Sequence, residues 1–86
     1  MKEYEKILKA LANARRLRIL KYLKEKKRAP VGAISGHIKL SFKSTSRHLA
    51  ILFSVGIVDR EQENLSMLYS LNKPLPSLAK LVVDII

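Results

Sequence analysis

The chain has 86 residues, of which 48% are hydrophobic; this length predicts one small domain, and its apolar content favours association with a second subunit. Seventeen Lys and Arg residues against seven Asp and Glu residues give a net charge of +10, which indicates a polyanionic partner, either nucleic acid or an anionic membrane surface. The lack of cysteine excludes disulfides, thiolate metal ligands and a cysteine nucleophile, and no apolar run is long enough to span a membrane, so we expect a cytoplasmic protein.

The N-terminal third of the sequence predicts two amphipathic helices. In residues 3–11, four apolar side chains recur at the spacing of one helix face: Tyr4, Ile7, Leu8 and Leu11. Asn13 is a typical N-cap for a second helix that extends to Lys27, with apolar residues on one face and basic residues on the other. The lysines at the end of this helix are favourable because they lie at the negative pole of the helix dipole.

A short helix, a turn and a longer helix are predicted next. Pro30 fits the start of the third helix. Ser41 is placed to cap a fourth helix that continues to about Val55, and Gly56 is expected to end it in the left-handed conformation. Residues 26–58 contain no Asp or Glu, so every charged residue in this part of the chain is basic. The inward side of the fourth helix is predicted to consist of Thr45, Leu49 and Leu52.

After Gly56 the apolar spacing changes from a helical period to the alternation of strands. Residues 57–62 and 65–71 predict a hairpin with its turn at Glu63 and Asn64. Beyond a break with two prolines, residues 77–86 predict a last helix. We therefore expect a mainly α fold with a small β-hairpin, comprising five helices and a two-stranded wing, in a single domain that spans residues 1–86.

Three segments resemble the ArsR family of winged helix-turn-helix repressors. Residues 8–20 read LKALANARRLRIL, similar to LKALADPTRLRIL in that family, and residues 40–52 read LSFKSTSRHLAIL, similar to the recognition helix LSQSTVSRHLKVL. Residues 55–71, VGIVDREQENLSMLYSL, resemble its wing pattern. The resemblance implies a homodimer that binds double-stranded DNA through the fourth helix and represses transcription. It also implies that residues 1–12 and 74–86 form the dimerisation helices.

Two departures from the family pattern change what we expect of this chain. Metal-sensing members carry ligand sets in the third or last helix, whereas these helices read PVGAISGHI and LPSLAKLVVDII here. We therefore expect no metal site and no cofactor. The wing tip reads EQEN in place of a basic, glycine-containing tip, so Arg60 is the wing residue expected to reach a phosphate.

The outward side of the fourth helix supplies the candidate DNA-binding residues. At 100° per residue, the positions opposite its buried side are Lys43, Ser46, Arg47, Ala50 and Ser54. We expect Arg47 to contact guanine or phosphate, Lys43 to contact a phosphate, and Ser46 to make a short hydrogen bond. The alternative is an ordinary solvated helix face.

Two ring side chains of this helix have competing interpretations. One interpretation is that Phe42 contacts thymine methyl groups in the groove. The other, which is favoured, is that Phe42 and Phe53 pack against protein, either at the edge of the core under the wing or against another chain. His48 either donates to a phosphate or bonds to neighbouring backbone, and the backbone interpretation is favoured. His37 is assigned no functional role.

The last helix carries more apolar surface than this small body can bury, which favours a second copy as partner. One stripe consists of Leu78, Leu81, Val82 and Ile85, and a neighbouring stripe consists of Leu75, Ala79, Val83 and Ile86. We expect the dimer interface to be formed by Tyr4, Ile7, Leu8, Leu11, Leu78, Val82 and Ile85. The alternative is a terminal helix buried in its own core.

Other functional classes have less support in the sequence. No phosphate-binding loop, metalloprotease motif or nucleophile elbow is present, so we expect no enzyme. The basic second helix resembles a membrane-surface helix in composition, but its leucines are needed as the platform of the helix-turn-helix, so no membrane contact is expected. The chief alternative is a winged-helix module that binds protein or RNA without operator specificity. The sequence identifies neither the operator nor a small-molecule effector.

Overall fold

The computed structural model describes all 86 residues, and the predicted order of four helices, hairpin and helix is confirmed. Its elements are α1 (Lys2–Leu11), α2 (Ala14–Lys26), β1 (Arg28–Pro30), α3 (Val31–Ile38), α4 (Phe42–Ser54), β2 (Val58–Glu63), β3 (Ser66–Leu71) and α5 (Ser77–Ile85). No helix is both long and apolar enough to cross a lipid bilayer.

The predicted two-stranded hairpin is confirmed as β2 and β3, and a third strand that was not predicted joins its sheet. β1 pairs antiparallel with β3, which gives a three-stranded sheet in the order β1-β3-β2. With three residues, β1 is too short to show an alternating pattern, and it becomes a strand only because β3 returns alongside it. Pro30 ends this strand and is the N-cap of α3, one residue before the helix itself begins.

Local signals in the sequence determine where the helices of the helix-turn-helix start and stop. The Asn13 side chain accepts a hydrogen bond of 3.1 Å from the backbone N–H of Arg16, which caps α2. The Ser41 hydroxyl accepts one of 3.0 Å from the backbone N–H of Ser44, which caps α4. Lys39 closes α3 with φ of 57°, and Gly56 turns the chain out of α4 with φ of 76°, as predicted for this glycine.

The hydrophobic core packs against the buried side of α4, which consists of Thr45, Leu49 and Leu52. The largest fully buried side chains come from α2, α3, α4 and the start of the wing: Ile19, Leu20, Leu23, Ile34, Thr45, Leu49, Leu52, Ile57 and Val58. The wing is tied to the end of α4 by Asn72, whose side chain donates to the Gly56 carbonyl at 2.9 Å and whose backbone N–H donates to the Ile57 carbonyl at 3.0 Å. Helix and wing are therefore fixed relative to each other.

Leu49→Ala is expected to lower the free energy of unfolding by about 2–5 kcal/mol, because it removes buried methyl groups and leaves a cavity under α4. Urea unfolding followed by circular dichroism measures this difference. Leu65→Ala is the matched control, since the Leu65 side chain is fully exposed at the wing tip and its loss should change stability by less than about 0.5 kcal/mol. Equal losses in the two variants would contradict the core position of Leu49.

Candidate nucleic-acid interface

Helix α4 has one buried side and one solvent side, as its sequence predicts. Its underside is fully buried, and we call the opposite side the recognition face, which consists of Lys43, Ser46, Arg47, Ala50 and Ser54. Lys43 and Arg47 are exposed, whereas Ser46 is half-buried. With two cations and no carboxylate, this face can approach a polyanion without repulsion from its own side chains. A helix of 13 residues is about 20 Å long and fits the major groove of B-form DNA.

The structure excludes one part of the preferred interpretation of Phe42, that it extends the edge of the protomer's core. Its side chain lies in the first turn of α4 and is 62% exposed, so it does not extend the core of the protomer. Phe53, at the other end of the helix, lies beside the wing instead. An exposed ring at Phe42 is compatible with both remaining interpretations, contact with another chain and contact with a base methyl group.

Arg60, the wing residue predicted to reach a phosphate, is stacked on α4. Its guanidinium carbon lies 4.0 Å from the centre of the Phe53 ring, a cation–π contact between the wing and the recognition helix. Stacking uses the face of the guanidinium and leaves the N–H groups at its edge free to donate. Sequence reasoning missed this contact because the two residues belong to different elements.

The rest of the wing is acidic, and part of its charge is compensated within the sheet. Arg28 on β1 forms exposed ion pairs with Glu61 at 3.7 Å and with Glu63 at 3.4 Å, reaching across β3 to β2. Exposed pairs of this kind contribute little to stability. The guanidinium of Arg28 is nevertheless engaged by these two carboxylates. The turn between β2 and β3 exposes Leu65 and contains no cation.

His48 has a different partner from the one its sequence position suggested. Its Nδ1 atom lies 3.2 Å from a guanidinium nitrogen of Arg16 on α2, so the predicted bond to neighbouring backbone is wrong. Partial burial, followed by the positive charges of Arg16 and Arg15, holds the pKa of His48 below its ordinary value of 6.5. The neutral imidazole is therefore the form that this environment favours.

Exposed apolar side chains form a stripe on each of two adjacent helices, α1 and α5. On α1, Tyr4 is 55% and Leu8 is 52% exposed, one turn apart. On α5, Leu81 is 65% and Ile85 is 82% exposed, again one turn apart. The two helices pack against each other, so we call these four residues the α1–α5 apolar face. Exposed apolar side chains on two packed helices make this face a candidate surface for a partner.

The residues predicted for the dimer interface divide into exposed and buried sets. Leu11 is 5% exposed and belongs to the core of the protomer, so its assignment to the interface is wrong. Ile7 and Val82 are half-buried and pack against that core, and Leu78 is also half-buried. Leu81, in the same predicted stripe as Leu78 and Val82, is more exposed than either.

The two histidines lie apart from any set of metal ligands. The ring of His37 stacks on Tyr22 with centroids 4.5 Å apart, and His48 bonds to Arg16. No group of three or more His, Asp or Glu side chains is close enough to hold a metal ion.

Comparison with known proteins gives a family and a set of relatives. The sequence profile described as "Bacterial regulatory protein, arsR family" matches residues 13–60, which include α2, α3, α4 and the first residues of the wing. The transcriptional activator HlyU of Vibrio cholerae is 39% identical over 66 residues, which are 77% of this chain and 60% of that relative. The matched stretch therefore spans less than two thirds of the length of the curated relative.

Solved structures resemble the whole chain. Reduced HlyU from Vibrio cholerae superposes with a TM-score of 0.83 at 32% identity, covering 98% of this chain and 84% of that one. A homodimeric winged helix-turn-helix DNA-binding domain from Mycobacterium bovis gives 0.85 at 29% identity, covering 98% and 78%. The transcriptional repressor PagR of Bacillus anthracis gives 0.82 at 25% identity, covering 99% and 94%.

Proposed function

Because the chain belongs to the ArsR family of bacterial regulatory proteins, we propose that it is a homodimeric repressor that binds double-stranded DNA sequence-specifically and without a metal ion. The family and its winged helix-turn-helix fold confirm the resemblance inferred from the sequence, and they identify a regulatory protein rather than an enzyme. The observation that carries the proposal is the acid-free recognition face of α4, held outward by a fully buried underside.

In the proposed complex, α4 enters the major groove and its two cations take different roles. Arg47, near the middle of the helix, donates in bidentate fashion to a guanine, a contact that a planar guanidinium makes well. Lys43, in the first turn, neutralises a phosphate, and Ser46 makes a hydrogen bond at short range. Phe42 contacts a thymine methyl group, and Arg60 donates from the edge of its stacked guanidinium to the backbone.

The proposed dimer brings together the α1–α5 apolar faces of two copies. Four exposed apolar side chains on two adjacent helices favour a partner of matching apolar surface, and a second copy supplies one. The Mycobacterium bovis domain with the same fold is described as homodimeric, which supports the proposal. Two recognition helices would then lie in successive major grooves, about one helical turn apart, on a site with approximate two-fold symmetry.

Repression is proposed because it requires no surface beyond the two already described. A dimer bound across a promoter excludes the polymerase by occupying its DNA, whereas activation requires a further contact. One relative of this fold is named a repressor and another an activator, so transcription in vitro is the deciding measurement. We expect a template carrying the binding site across its promoter to be transcribed less when the protein is added. More transcript would contradict repression and leave DNA binding intact.

Selection from a random pool of duplexes tests the proposed function. We expect the retained duplexes to share a consensus with two-fold symmetry. A selected duplex should then compete far better than a random duplex or single-stranded RNA of equal length. Retention of RNA, or equal competition by all three, would favour the alternative of a winged-helix module without operator specificity.

Salt dependence is expected to be steep, because contacts to phosphates release condensed cations. If each protomer neutralises two or three phosphates, the logarithm of the binding constant should fall with the logarithm of salt concentration with a slope of about −4 to −5. Titrations of a labelled selected duplex at several salt concentrations measure this slope. A slope near zero would contradict a complex held by the recognition face.

A further inference from the structure

The side chain of Arg16 connects two helices that have separate roles in the proposed complex. Its Nε atom donates to the carbonyl of Ala10 at 2.6 Å, and a terminal nitrogen donates to the carbonyl of Lys9 at 3.0 Å. These carbonyls belong to the last turn of α1, where the helix leaves them without partners of its own. The other terminal nitrogen lies 3.2 Å from Nδ1 of His48 on α4. One guanidinium therefore holds the end of α1 and the middle of α4 together.

This contact determines which form of His48 can take part in it. Arginine has donors only and stays charged, so Nδ1 of His48 must be the acceptor and its proton must lie on Nε2. Protonation of the ring converts Nδ1 into a donor, which removes the hydrogen bond and places two cations against each other. The contact with Arg16 exists only while His48 is neutral.

We propose that Arg16 and His48 are positioning residues that fix the recognition helix relative to the dimerisation helix α1, and that neutral His48 is the form competent for specific DNA binding. The inference rests on the proposed function, because it concerns the angle at which α4 reaches the groove. The spacing of two recognition helices in a dimer depends on how each α4 is held relative to the interface, and α1 carries half of the α1–α5 apolar face.

The charges around His48 determine how its contact with Arg16 depends on pH. Arg16 and Arg15 face it from α2, and Arg47 is its neighbour on α4. On α1, Lys9 is paired with Glu5 at 3.8 Å, and none of the four ion pairs of the chain includes His48. With no carboxylate as partner, the protonated ring is opposed by cations. The contact is therefore complete above the ordinary histidine pKa of about 6.5 and is lost as pH falls through the lowered pKa of His48.

The test compares binding to the selected duplex and to a random duplex as pH is lowered from about 8 through the pKa of His48 measured by NMR. Histidine is the ordinary titrating side chain near these pH values. For the wild type, we expect the preference for the selected duplex to fall about five- to tenfold once His48 is fully protonated, the effect of losing one hydrogen bond. His48→Asn keeps an acceptor near the place of Nδ1 and does not titrate, so its preference should stay constant. His37→Asn is the control for the other histidine and should behave as the wild type does.

A preference for the selected duplex that does not fall at low pH would overturn the proposal. If His48 only faced the DNA backbone, its protonation would add a cation and strengthen binding at low pH for both duplexes. A wild-type preference that stays constant or rises, or a His48→Asn variant that falls equally, rejects the positioning role.

A proton titration of the free protein by NMR separates this inference from the proposed function. We expect the pKa of His48 to lie below that of a histidine in a model peptide and to rise in Arg16→Met, because an opposing charge and a donor to the neutral ring are both removed. If no specific duplex is found, the proposed function fails while this titration still tests the contact. A pKa for His48 that is unchanged by the loss of Arg16 would overturn the pair itself.

Discussion

Leu81→Glu is expected to convert the protein from a dimer into a folded monomer. In the protomer the Leu81 side chain is 65% exposed, so a glutamate there stays in water and leaves folding nearly unchanged. In the proposed dimer the same carboxylate would be buried against the apolar side chains of the second copy. An unpaired charge in such a place costs several kcal/mol, which is enough to prevent association at micromolar concentration.

Analytical ultracentrifugation and circular dichroism measure the two parts of this prediction, mass and fold. Leu65→Glu is the matched control, because it makes the same substitution at a fully exposed leucine of the wing tip, outside α1 and α5. We expect the control to sediment as a dimer. A dimer in both variants would show that the α1–α5 apolar face is not the interface.

Loss of the dimer should also weaken operator binding. Two linked recognition helices gain affinity because the second binds at a high effective concentration once the first is bound, an advantage of about 10²–10⁴-fold. Leu81→Glu should lose this advantage while its affinity for random duplex, which depends mainly on charge, falls far less. Equal losses on both duplexes would indicate damage to the recognition face instead.

Arg47→Ala is expected to weaken binding to the selected duplex by about 1–3 kcal/mol per protomer and to relax the preference at one or two base pairs of each half-site. The reason is the loss of the single guanidinium on the recognition face, since its other cation, Lys43, cannot donate in a planar fork. Binding titrations on duplexes with single base-pair changes measure both effects.

Arg47→Lys distinguishes base contact from phosphate contact at the same position. Lysine keeps the charge, so the salt slope should stay close to that of the wild type, whereas the preference at the contacted base pairs should fall nearly as far as in Arg47→Ala. A lysine variant with undiminished sequence preference would assign Arg47 to a phosphate rather than to a base.

The parts of the fold that could be predicted depend on local signals. Asn13 and Ser41 cap their helices as expected, and Gly56 adopts the left-handed conformation at the end of α4. The recognition face followed from the same information, because Thr45 and its helical neighbours identify the buried side and the rest follows by rotation. These features involve residues within a few positions of each other, where the sequence pattern itself carries the geometry.

The parts that could not be predicted involve contacts between distant segments. β1 exists only through its pairing with β3, and the stacking of Arg60 on Phe53 depends on how the wing folds back. Leu11 has the same helical spacing as Leu8, yet one is buried within the protomer and the other is exposed. Periodicity identifies an apolar stripe but does not divide it between the core and a partner.

The position of Arg16 in the sequence contains a signal for its contact with α1, although that contact was not predicted. A cation in the first turn of α2 is unfavourable, because that end of the helix is the positive pole of its dipole. Its guanidinium is stabilised elsewhere, by the carbonyls at the negative pole of α1. An arginine beside an N-cap is thus a reason to look for the end of a neighbouring helix.

Methylation interference at guanine N7 tests most directly whether α4 reads the major groove as part of a dimer, because N7 lies in that groove. On a selected duplex, we predict interference in two clusters about 10–10.5 base pairs apart, on one side of the duplex. Arg47→Ala should remove the strongest position from each cluster. A single cluster would contradict binding as a dimer, and binding that does not respond to N7 methylation would contradict recognition of the major groove by α4.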